Sequence, residues 1–512
     1  MSVPGAPAED WRQLDRRSVL VTAVVMGAMA GGSVLPATAG LLARTSWAQV
    51  VGGVLAGILA LGVAGAIADF VRWRRTRYRV GPERVELHTG LLTVKRRSLA
   101  RERIRSVDLT AGPLLRVLGL VTVRIGTGEH TGGGESTLEL DSVSKAEGER
   151  LRWELLAGKA VGADSSHRED EIAVLDLRWM RYAPASFVAP LLAAAAFGSV
   201  MKISEWLGVQ GEVLTWAEGR FRDAPLFWGV VVLGLAALVV GVTGSLGLWV
   251  EGWSNYRLER EPGGTLQVRR GLLTIRSVTI EEQRLRGVEL VEPLGVRLCG
   301  AARVDAIATG LVKGAEDEHV DHKTLLPAVP RVVAVGVAAQ VLRETGVSPT
   351  SVSLTPHPRA ARTRRLRWAL AAALVPPVTL TVAGVLLTEA LVSRVLLWAS
   401  AASAAVLLPL AVLLALDAYR GLGHGVQGGY LVARSGTVRR GTVALQRAGV
   451  IGWTLQQSWF QRRAGLLTLT ATTAAGNGAY SVYDADEEEG LDFASRAVPG
   501  LLEPFLDRAP HP

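Results

Sequence analysis

Cysteine and lysine are scarce in this 512-residue sequence. The single cysteine, Cys299, excludes an intramolecular disulfide and argues against a cysteine-based metal site. Lysine accounts for six of the 56 basic residues, and the formal net charge is +9. An arginine bias of this kind is typical of GC-rich genomes, so the positive charge alone does not predict a nucleic-acid partner.

Charged residues are missing altogether from six stretches. About 20 apolar residues at ~1.5 Å each cross a hydrocarbon core of ~30 Å. We therefore predict six transmembrane helices. Since none of them carries an ionisable residue, the sequence argues against an ion-coupled transporter. The six stretches are 19–42, 50–68, 183–201, 226–250, 368–388 and 395–416.

The six stretches form three pairs, and roughly 100 polar residues follow each pair. The predicted plan is therefore a multi-pass membrane α + β protein in which a hairpin and then a soluble domain occur three times. The predicted segments are an N-terminus at 1–18, hairpins at 19–68, 183–250 and 368–416, and soluble domains with their linkers at 69–182, 251–367 and 417–512.

Arginine placement predicts the orientation of these segments. Arg12, Arg16 and Arg17 precede the first span, and further arginine clusters lie at 72–79 and 359–367. The links inside the hairpins carry far less positive charge. Because cytoplasmic flanks are enriched in Lys and Arg, we predict a cell-membrane protein with both termini and all three soluble domains in the cytoplasm.

A small-residue motif in the first span leaves one alternative open. Ala37-Thr38-Ala39 resembles a signal-peptidase site, although the apolar run is long for a signal peptide and a second span follows at once. The sequence does not decide whether residues 1–39 are removed. Cleavage would leave the orientation of the other spans unchanged.

The soluble segments are internal repeats. Gly90-Leu91-Leu92-Thr93 matches Gly271-Leu272-Leu273-Thr274, and Gly119 matches Gly300 at the same spacing. The third copy is degenerate and keeps only the order of these features, with Gly436 as its first match. Each copy alternates apolar and polar residues and ends in a helix-like stretch, at 143–157, 328–345 and 485–507. This pattern predicts a small, partly open β-barrel with a C-terminal helix.

These features resemble a known family. The basic juxtamembrane residues, the Gly-Leu-Leu strands, Arg-Ile-Arg-Ser-Val (103–107) and Gly-Pro-Leu-Leu-Arg-Val-Leu-Gly-Leu (112–120) are similar to the PH-like domains of YdbS/YdbT-type bacterial membrane proteins. The resemblance is strong in 69–157, fair in 251–345 and weak in 417–507. It implies PH-like (pleckstrin-homology-like) barrels beside membrane helices, and it implies no catalytic residues.

Two groups of arginines are candidate binding residues. The juxtamembrane group could hold the first domain against anionic lipid, with an aromatic ring at the headgroup level, although membrane topology alone could also explain the charge. The strand arginines are two residues apart in each copy and therefore share one face of a strand. On an exposed face they could dock a phosphate or an acidic segment. Otherwise they would pair with neighbouring carboxylates. The two groups are Arg72, Trp73, Arg74, Arg75, Arg77 and Arg79, and Arg103, Arg105, Arg284 and Arg286.

Two further motifs contain residues that occur in metal sites or phosphate-binding loops. His319 and His322 have metal-like spacing, but they lie in an acidic loop that reads as solvated. The Gly132-Gly133-Gly134 run lacks the Lys and Ser/Thr of a phosphate-binding loop. We therefore predict no catalytic residues, no metal and no cofactor.

The predicted function is a non-enzymatic integral membrane protein whose PH-like domains are binding or scaffold modules, with envelope maintenance or stress response as a candidate role. The expected partners are the bilayer, its anionic lipids, and another membrane protein or an acidic peptide segment, without nucleic acid. The alternative is a transporter or lipid-handling protein with a path through the six helices, lined by hydroxyls such as Thr243, Thr381 and Ser400.

The orientation is testable with an epitope tag in the middle domain. A tag inserted after residue 315 is expected to be inaccessible to antibody in intact cells and accessible after permeabilisation, because that domain is predicted to be cytoplasmic. A tag in the link at 43–49 is the control and should be accessible in intact cells. Labelling of the middle-domain tag from outside would contradict the orientation.

Overall fold

The computed structural model describes residues 11–504, except 42–46, 91–93, 105, 127–136, 158–169, 207, 222–225, 262–263, 310–322, 345, 388 and 503. The chain divides into two compact units. The first extends to Glu282, and the second comprises Gln283–Thr309 and the chain from Lys323 onward.

In the first unit, helices and then strands follow the predicted hairpin-then-domain order twice. After the second pair of long helices, this unit contains only three strands. The helices are α1 Ser18–Leu41, α2 Trp47–Arg75, α3 Pro113–Val117, α4 Lys145–Ala157, α5 Val188–Trp206, α6 Gln210–Phe221 and α7 Leu226–Trp253. The strands are β1 Arg12–Gln13, β2 Arg77–Val80, β3 Arg84–Thr89, β4 Lys95–Ala100, β5 Ser106–Ala111, β6 Leu120–Gly126, β7 Thr137–Ser144, β8 Asp170–Val174, β9 Arg257–Glu261, β10 Thr265–Arg270 and β11 Ile275–Glu281.

The second unit contains the rest of the middle domain, the last hairpin and the third domain. Its helices are α8 Leu294–Leu298, α9 Arg331–Val341, α10 Arg359–Leu386, α11 Ala390–Arg420, α12 Trp459–Arg462 and α13 Glu487–Ala497. Its strands are β12 Leu285–Pro293, β13 Ala301–Ala308, β14 Thr324–Pro330, β15 Gly423–Gln427, β16 Tyr430–Ser435, β17 Arg439–Gln446, β18 Val450–Gln456, β19 Leu466–Thr473 and β20 Ala479–Asp486.

Among the described residues, five helices are long and apolar enough to cross a membrane. They are Leu55–Arg75, Val188–Trp206, Trp228–Trp253, Arg359–Leu386 and Ala390–Arg420. The first predicted span, 19–42, falls on α1. The part of α1 that is described as an apolar helix, Ser18–Met29, is shorter than a span. A sixth span therefore stays a prediction.

The third span begins later than predicted. The sequence placed it at 183–201, but α5 begins at Val188. Residues Leu177–Ala185 form a 3₁₀ helix instead, whose first turn is capped by the Asp176 carboxylate accepting from the Arg178 amide at 2.9 Å. Apolar composition locates a span more reliably than its ends, because the cap and not the hydropathy decides where a helix starts.

Each soluble domain consists of two antiparallel halves, and neighbouring domains share sheets. The strand orders are β1-β2-β3-β4, β7-β6-β5-β11-β10-β9-β8, β14-β13-β12-β17-β16-β15 and β18-β19-β20. The second half of the first copy (β5–β7) therefore joins the first half of the second copy (β9–β11). The second half of the second copy (β12–β14) joins the first half of the third (β15–β17). Three separate barrels stay a prediction, because the hydrogen-bonded sheets pass from one copy to the next.

Within the first and third domains, the two halves and the C-terminal helix enclose an apolar core. In the first domain, Tyr78 and Leu87 from the first half meet Val107 and Leu138 from the second, with Leu151 of α4. The third domain is built in the same way and places Phe493 of α13 at its centre. Burying one such side chain stabilises the fold by roughly 1.5–3 kcal/mol.

Left-handed glycines recur at equivalent positions. Gly119, Gly300 and Gly465 follow the short helices α3, α8 and α12 with φ of 71°, 70° and 61°. Gly271 and Gly436 have φ of 114° and 101°. The third copy, which the sequence marked as degenerate, thus keeps the turns at which a side chain is disfavoured.

Replacing Gly436 should therefore destabilise the third domain. A Cβ at this position would lie 2.0 Å from the Arg439 carbonyl oxygen. We expect Gly436→Ala to lower the free energy of unfolding by about 1–3 kcal/mol, seen as a lower thermal unfolding midpoint in detergent. Gly336→Ala is the control, because a Cβ there meets nothing within 4 Å. Equal midpoints for the two variants would contradict the assignment.

Candidate functional site

A cleft of about 440 Å³ lies in the second unit, where α10 meets α12. We call it the α10–α12 cleft. It lies beside the first turns of a candidate span, at the point where the arginine-rich start of α10 gives way to its apolar part. The residues that line it are Ala360, Thr363, Arg364, Arg367, Trp368, Ala371, Trp459, Phe460, Arg463 and Ala464.

A capping box fixes the short helix α12. The Ser458 hydroxyl accepts from the Gln461 amide at 3.3 Å, and the Gln461 side chain accepts from the Ser458 amide at 2.9 Å. The Gln461 amide group is itself buried and donates to Thr468 and Asp484. Because the backbone N–H and the side chain of Gln461 are both hydrogen-bonded, α12 has a defined position on the domain.

The aromatic residues of α12 remain exposed although the helix is well fixed. Trp459 is 59% and Phe460 57% exposed. Phe460 meets Trp368 of α10 edge to face, with ring centroids 6.3 Å apart. Large exposed aromatic rings beside the end of a span are typical of the membrane–water interface. The cleft therefore has an apolar aromatic wall beside the start of a candidate span.

A buried carboxylate attaches the start of α10 to the third domain. Asp484 is almost fully buried and lies in β20 with φ of 56°, a left-handed conformation that Asp tolerates. Its carboxylate pairs with the Arg364 guanidinium, and Arg365 Nε lies 3.3 Å from it. One carboxylate is thus shared by two guanidinium groups, which holds both arginines to the third domain.

Two other arginines of the cleft keep their charge available. Arg367 and Arg463 are exposed, and among the described residues no carboxylate pairs with either of them. The Arg463 guanidinium carbon lies 4.4 Å from the centroid of the Trp459 ring. With Arg463 over the Trp459 ring and Arg367 in the same lining, the cleft has the chemistry to bind an anion with an apolar extension, because guanidinium binds phosphate oxygens in pairs.

Comparisons with known proteins agree with this architecture. The sequence model of the family described as "Bacterial PH domain" matches residues 20–159 and 370–499, more than half of the chain. This chain belongs to the bacterial PH domain family. The two matched ranges begin in the apolar helices α1 and α10 and end two residues beyond the C-terminal helices α4 and α13. The third copy, expected to be the weakest, is thus one of the two that carry the family pattern.

Two curated relatives come from Bacillus subtilis (strain 168). The chain is 22% identical to "UPF0699 transmembrane protein YdbT" over 277 residues, which is 50% of this chain and 54% of that protein. It is 34% identical to "UPF0699 transmembrane protein YdbS" over 83 residues, which is 16% of this chain and 52% of that protein. The chain thus spans about half the length of the curated relatives it matches. No solved structure matches.

These findings establish a bacterial membrane protein with PH domains, as the resemblance implied. Among the described residues, no group of three or more His, Cys, Asp or Glu side chains could hold a metal ion. His319, His322 and the glycine run 132–134 lie outside the described residues.

The predicted juxtamembrane group is divided between structural and exposed residues. Arg72 pairs with Asp69 at 2.9 Å, and Arg79 with Glu86 at 3.1 Å. Trp73 is half-buried and donates to the Leu14 carbonyl at 2.7 Å, so it holds the N-terminal segment to α2. Its place at the headgroup level stays a prediction. Tyr78, the next aromatic residue along the chain, is almost fully buried. Arg74, Arg75 and Arg77 are exposed, and their lipid-binding role stays a prediction.

Of the strand arginines, Arg284 and Arg286 do not form the open face that their spacing suggested. Arg284 is 7% exposed in a 3₁₀ turn, and Arg286 is half-buried with its side chain packed against Gly449. The spacing rule for a strand does not apply at Arg284, because the chain is still helical there. Arg105 and the Arg103 side chain lie outside the described residues, so docking by this pair is also untested.

Sequence reasoning missed the α10–α12 cleft. The signal was present in Ser458-Trp459-Phe460-Gln461, a capping-box pattern with two aromatic residues where α3 begins with Pro-Leu and α8 with Leu-Gly. The partnership of Asp484 with Arg364 could not be read, because 120 residues separate them.

Two buried histidines lie behind Asp484. His357 Nδ1 is 3.1 Å from the Asp484 carbonyl oxygen, and its Nε2 is 3.1 Å from His424 Nδ1. A consistent network has both rings protonated at Nδ1, so that His424 donates to His357 and His357 donates to Asp484. Burial, followed by the charge of His357, lowers the pKa of His424 to about 4, and burial also lowers the pKa of His357.

The histidine pair should make stability depend on pH. Because the folded state favours neutral His424, its contribution is complete above pH 6.5 and is lost as the pH falls towards 4. The free energy of unfolding should fall over that range by at most roughly 3 kcal/mol. We expect the unfolding midpoint of the purified protein to fall less steeply between pH 6.5 and 4 in His424→Gln than in the wild type. Identical slopes would contradict the assignment.

Proposed function

We propose that this protein is a non-enzymatic membrane scaffold whose third PH domain binds the headgroup of an anionic phospholipid in the α10–α12 cleft. The observation that carries the proposal is the pair of uncompensated arginines, Arg367 and Arg463, beside three exposed aromatic rings at the start of a candidate span. The phosphate would accept from the guanidinium groups, and the acyl chains would continue along the apolar surface of α10.

The orientation proposed for this function has both termini and all PH domains in the cytoplasm. Arg359, Arg362 and Arg367 precede the apolar part of α10. The last turn of α10 carries no basic residue. Anionic lipids of the cytoplasmic leaflet attract such clusters by about 1 kcal/mol per charge. A role in envelope maintenance or stress response stays a prediction.

A transport path has less support. Thr243 donates to the Val239 carbonyl, Thr379 to the Val375 carbonyl, and Ser403 to the Ser400 carbonyl, all within their own helices. Thr381 and Ser400 bond to each other and to the Pro377 carbonyl inside the last hairpin. Because these hydroxyls are satisfied within their own hairpins, they give no support to a transport path.

The lipid site is tested by charge-removing variants of the full chain. Arg367→Gln with Arg463→Gln should weaken retention of phosphatidylglycerol by about 2 kcal/mol, or roughly thirtyfold, since each guanidinium contributes about 1 kcal/mol. The measurement is native mass spectrometry of protein released from nanodiscs that contain phosphatidylglycerol and phosphatidylcholine.

Arg462→Gln is the matched control, because Arg462 lies on α12, is exposed and does not line the cleft. It should retain the lipid. Equal loss in the control and the double variant, or full retention in the double variant, would refute the site. Competition by inorganic phosphate as strong as that by phosphatidylglycerol vesicles would show that the cleft selects the phosphate alone and not a lipid.

A further inference from the structure

Two strands of this chain lack a neighbour that their equivalents in the other copies have. β11 and β17, the last strands of the first halves of copies two and three, pair with β5 and β12 of the preceding copy. Their counterpart in the first copy is β4, which pairs only with β3 among the described strands. Likewise β18, the third-copy counterpart of β5 and β12, pairs only with β19. We call these two strands the open edges.

The two existing junctions use the same register. Leu109 faces Ser277 in the first junction, and Leu290 faces Thr442 in the second. On its own sheet, each leucine faces the equivalent residue of the next strand, Val123 or Val304.

The same criterion identifies the equivalent residues at the open edges. On β18 the equivalent of Leu109 and Leu290 is Leu455, which faces Leu469 on β19. On β4 the equivalent of Ser277 and Thr442 is Arg96, which faces His88 just as Ser277 faces Arg269. A third junction in the same register would therefore place Leu455 opposite Arg96.

Burial shows what the open edges lack. Leu109 and Leu290 are 6% and 0% exposed, whereas Leu455 is 46% exposed. Strand β4 is exposed at each residue from Lys95 to Ser98, whereas β11 and β17 each contain four consecutive buried residues. An apolar side chain at a position that is otherwise buried in this repeat indicates an interface that one chain alone leaves incomplete.

β4 is basic, and the acidic residues that it would approach lie next to β18, on α13. β4 begins with the cations Lys95 and Arg96, and cations on an edge discourage indiscriminate pairing. β18 carries no charge, and Gln457 just beyond it donates to Glu487 at 3.0 Å, the first of three glutamates that open α13. The shared register would bring Lys95 opposite Gln456 and so towards these glutamates.

From these observations we propose that β18 of one copy pairs with β4 of a second copy of this chain. The second copy is the fitting occupant because it carries the matching half of a junction that the chain already makes twice in one register. The interface uses two different surfaces, so it is head-to-tail and produces a ring or an open row in the plane of the membrane. The proposal does not depend on lipid binding by the α10–α12 cleft.

The test is disulfide cross-linking between two differently tagged full-length copies in native membranes. One copy carries Arg96→Cys and the other Leu455→Cys, both with Cys299→Ser because Cys299 is exposed. Paired residues of antiparallel strands lie within disulfide reach at Cα separations of ~4.5–5.5 Å. A mild oxidant is expected to produce a heterodimer that carries both tags.

The matched control replaces Leu455→Cys by Thr454→Cys, which is also exposed but points to the other face of β18. We expect the in-register pair to give at least about fivefold more heterodimer than this control, because neighbouring strand residues face opposite ways. Equal yields, or no heterodimer, would overturn the proposal. So would a single chain carrying Arg96→Cys and Leu455→Cys that closes only on itself, or capture of a different protein by the Leu455→Cys copy.

A second measurement does not need cysteines. Leu455→Lys would place a cation opposite Arg96 and should lower the mass of the detergent-solubilised assembly to that of one chain. The thermal unfolding midpoint should stay at the wild-type value, because Leu455 lies at the exposed end of β18. An unchanged assembly mass would overturn the proposal.

Discussion

The hydrogen-bonding edge of a β-sheet is the constraint on which the soluble part of this protein depends. A strand with a free edge exposes amides and carbonyls that can pair with any other strand, so proteins cover, charge or pair their edges. Here the second halves of the first two copies are paired at their edges with the first half of the next copy. At these two junctions, one copy therefore completes a sheet of another.

Buried charge at the junctions shows how tightly these edges approach. Glu289 lies over Gly441, where a Cβ would come within 2.7 Å of its carboxylate, and Arg439 pairs with it at 3.0 Å. At the equivalent position of the first junction, burial raises the pKa of Asp108 to about 7. In the third copy this position is Thr454, and β18 is an open edge. The carboxylate is thus found in the two copies whose strand is paired at a junction, and threonine in the copy whose strand is an open edge.

The link between membrane and domain has a similar logic in the third copy. Arg364 and Arg365 lie in the arginine cluster at the start of α10 and share the buried Asp484 carboxylate. Arg367 and Arg463 are exposed beside aromatic rings. The arginine-rich start of α10 therefore both fixes the third domain to the helix and contributes a cationic side chain to the cleft.

Much of the plan could be predicted from patterns that act over short distances. Apolar length predicts helices that span a bilayer, and five of the six predicted spans correspond to candidate spans in the described structure. Period-two alternation predicts strands, and the acidic start at 484–489 predicts the helix that Asp486 caps. The arginine sites were less predictable, since a basic side chain looks the same in sequence whether a carboxylate faces it or not. Arg72 illustrates this, because Asp141, one of its two acidic neighbours, comes from a distant strand.

By itself the sequence determined which segments avoid water, the order of hairpin and domain, and the threefold repeat, because these properties depend on neighbours along the chain. Only the tertiary structure decided that sheets pass from copy to copy, that Trp73 and Arg284 turn inward, and that Trp459 and Phe460 stay exposed beside Trp368. Edge pairing, ion pairing and burial depend on residues that are far apart in the chain, and a local sequence pattern does not show which of them come into contact.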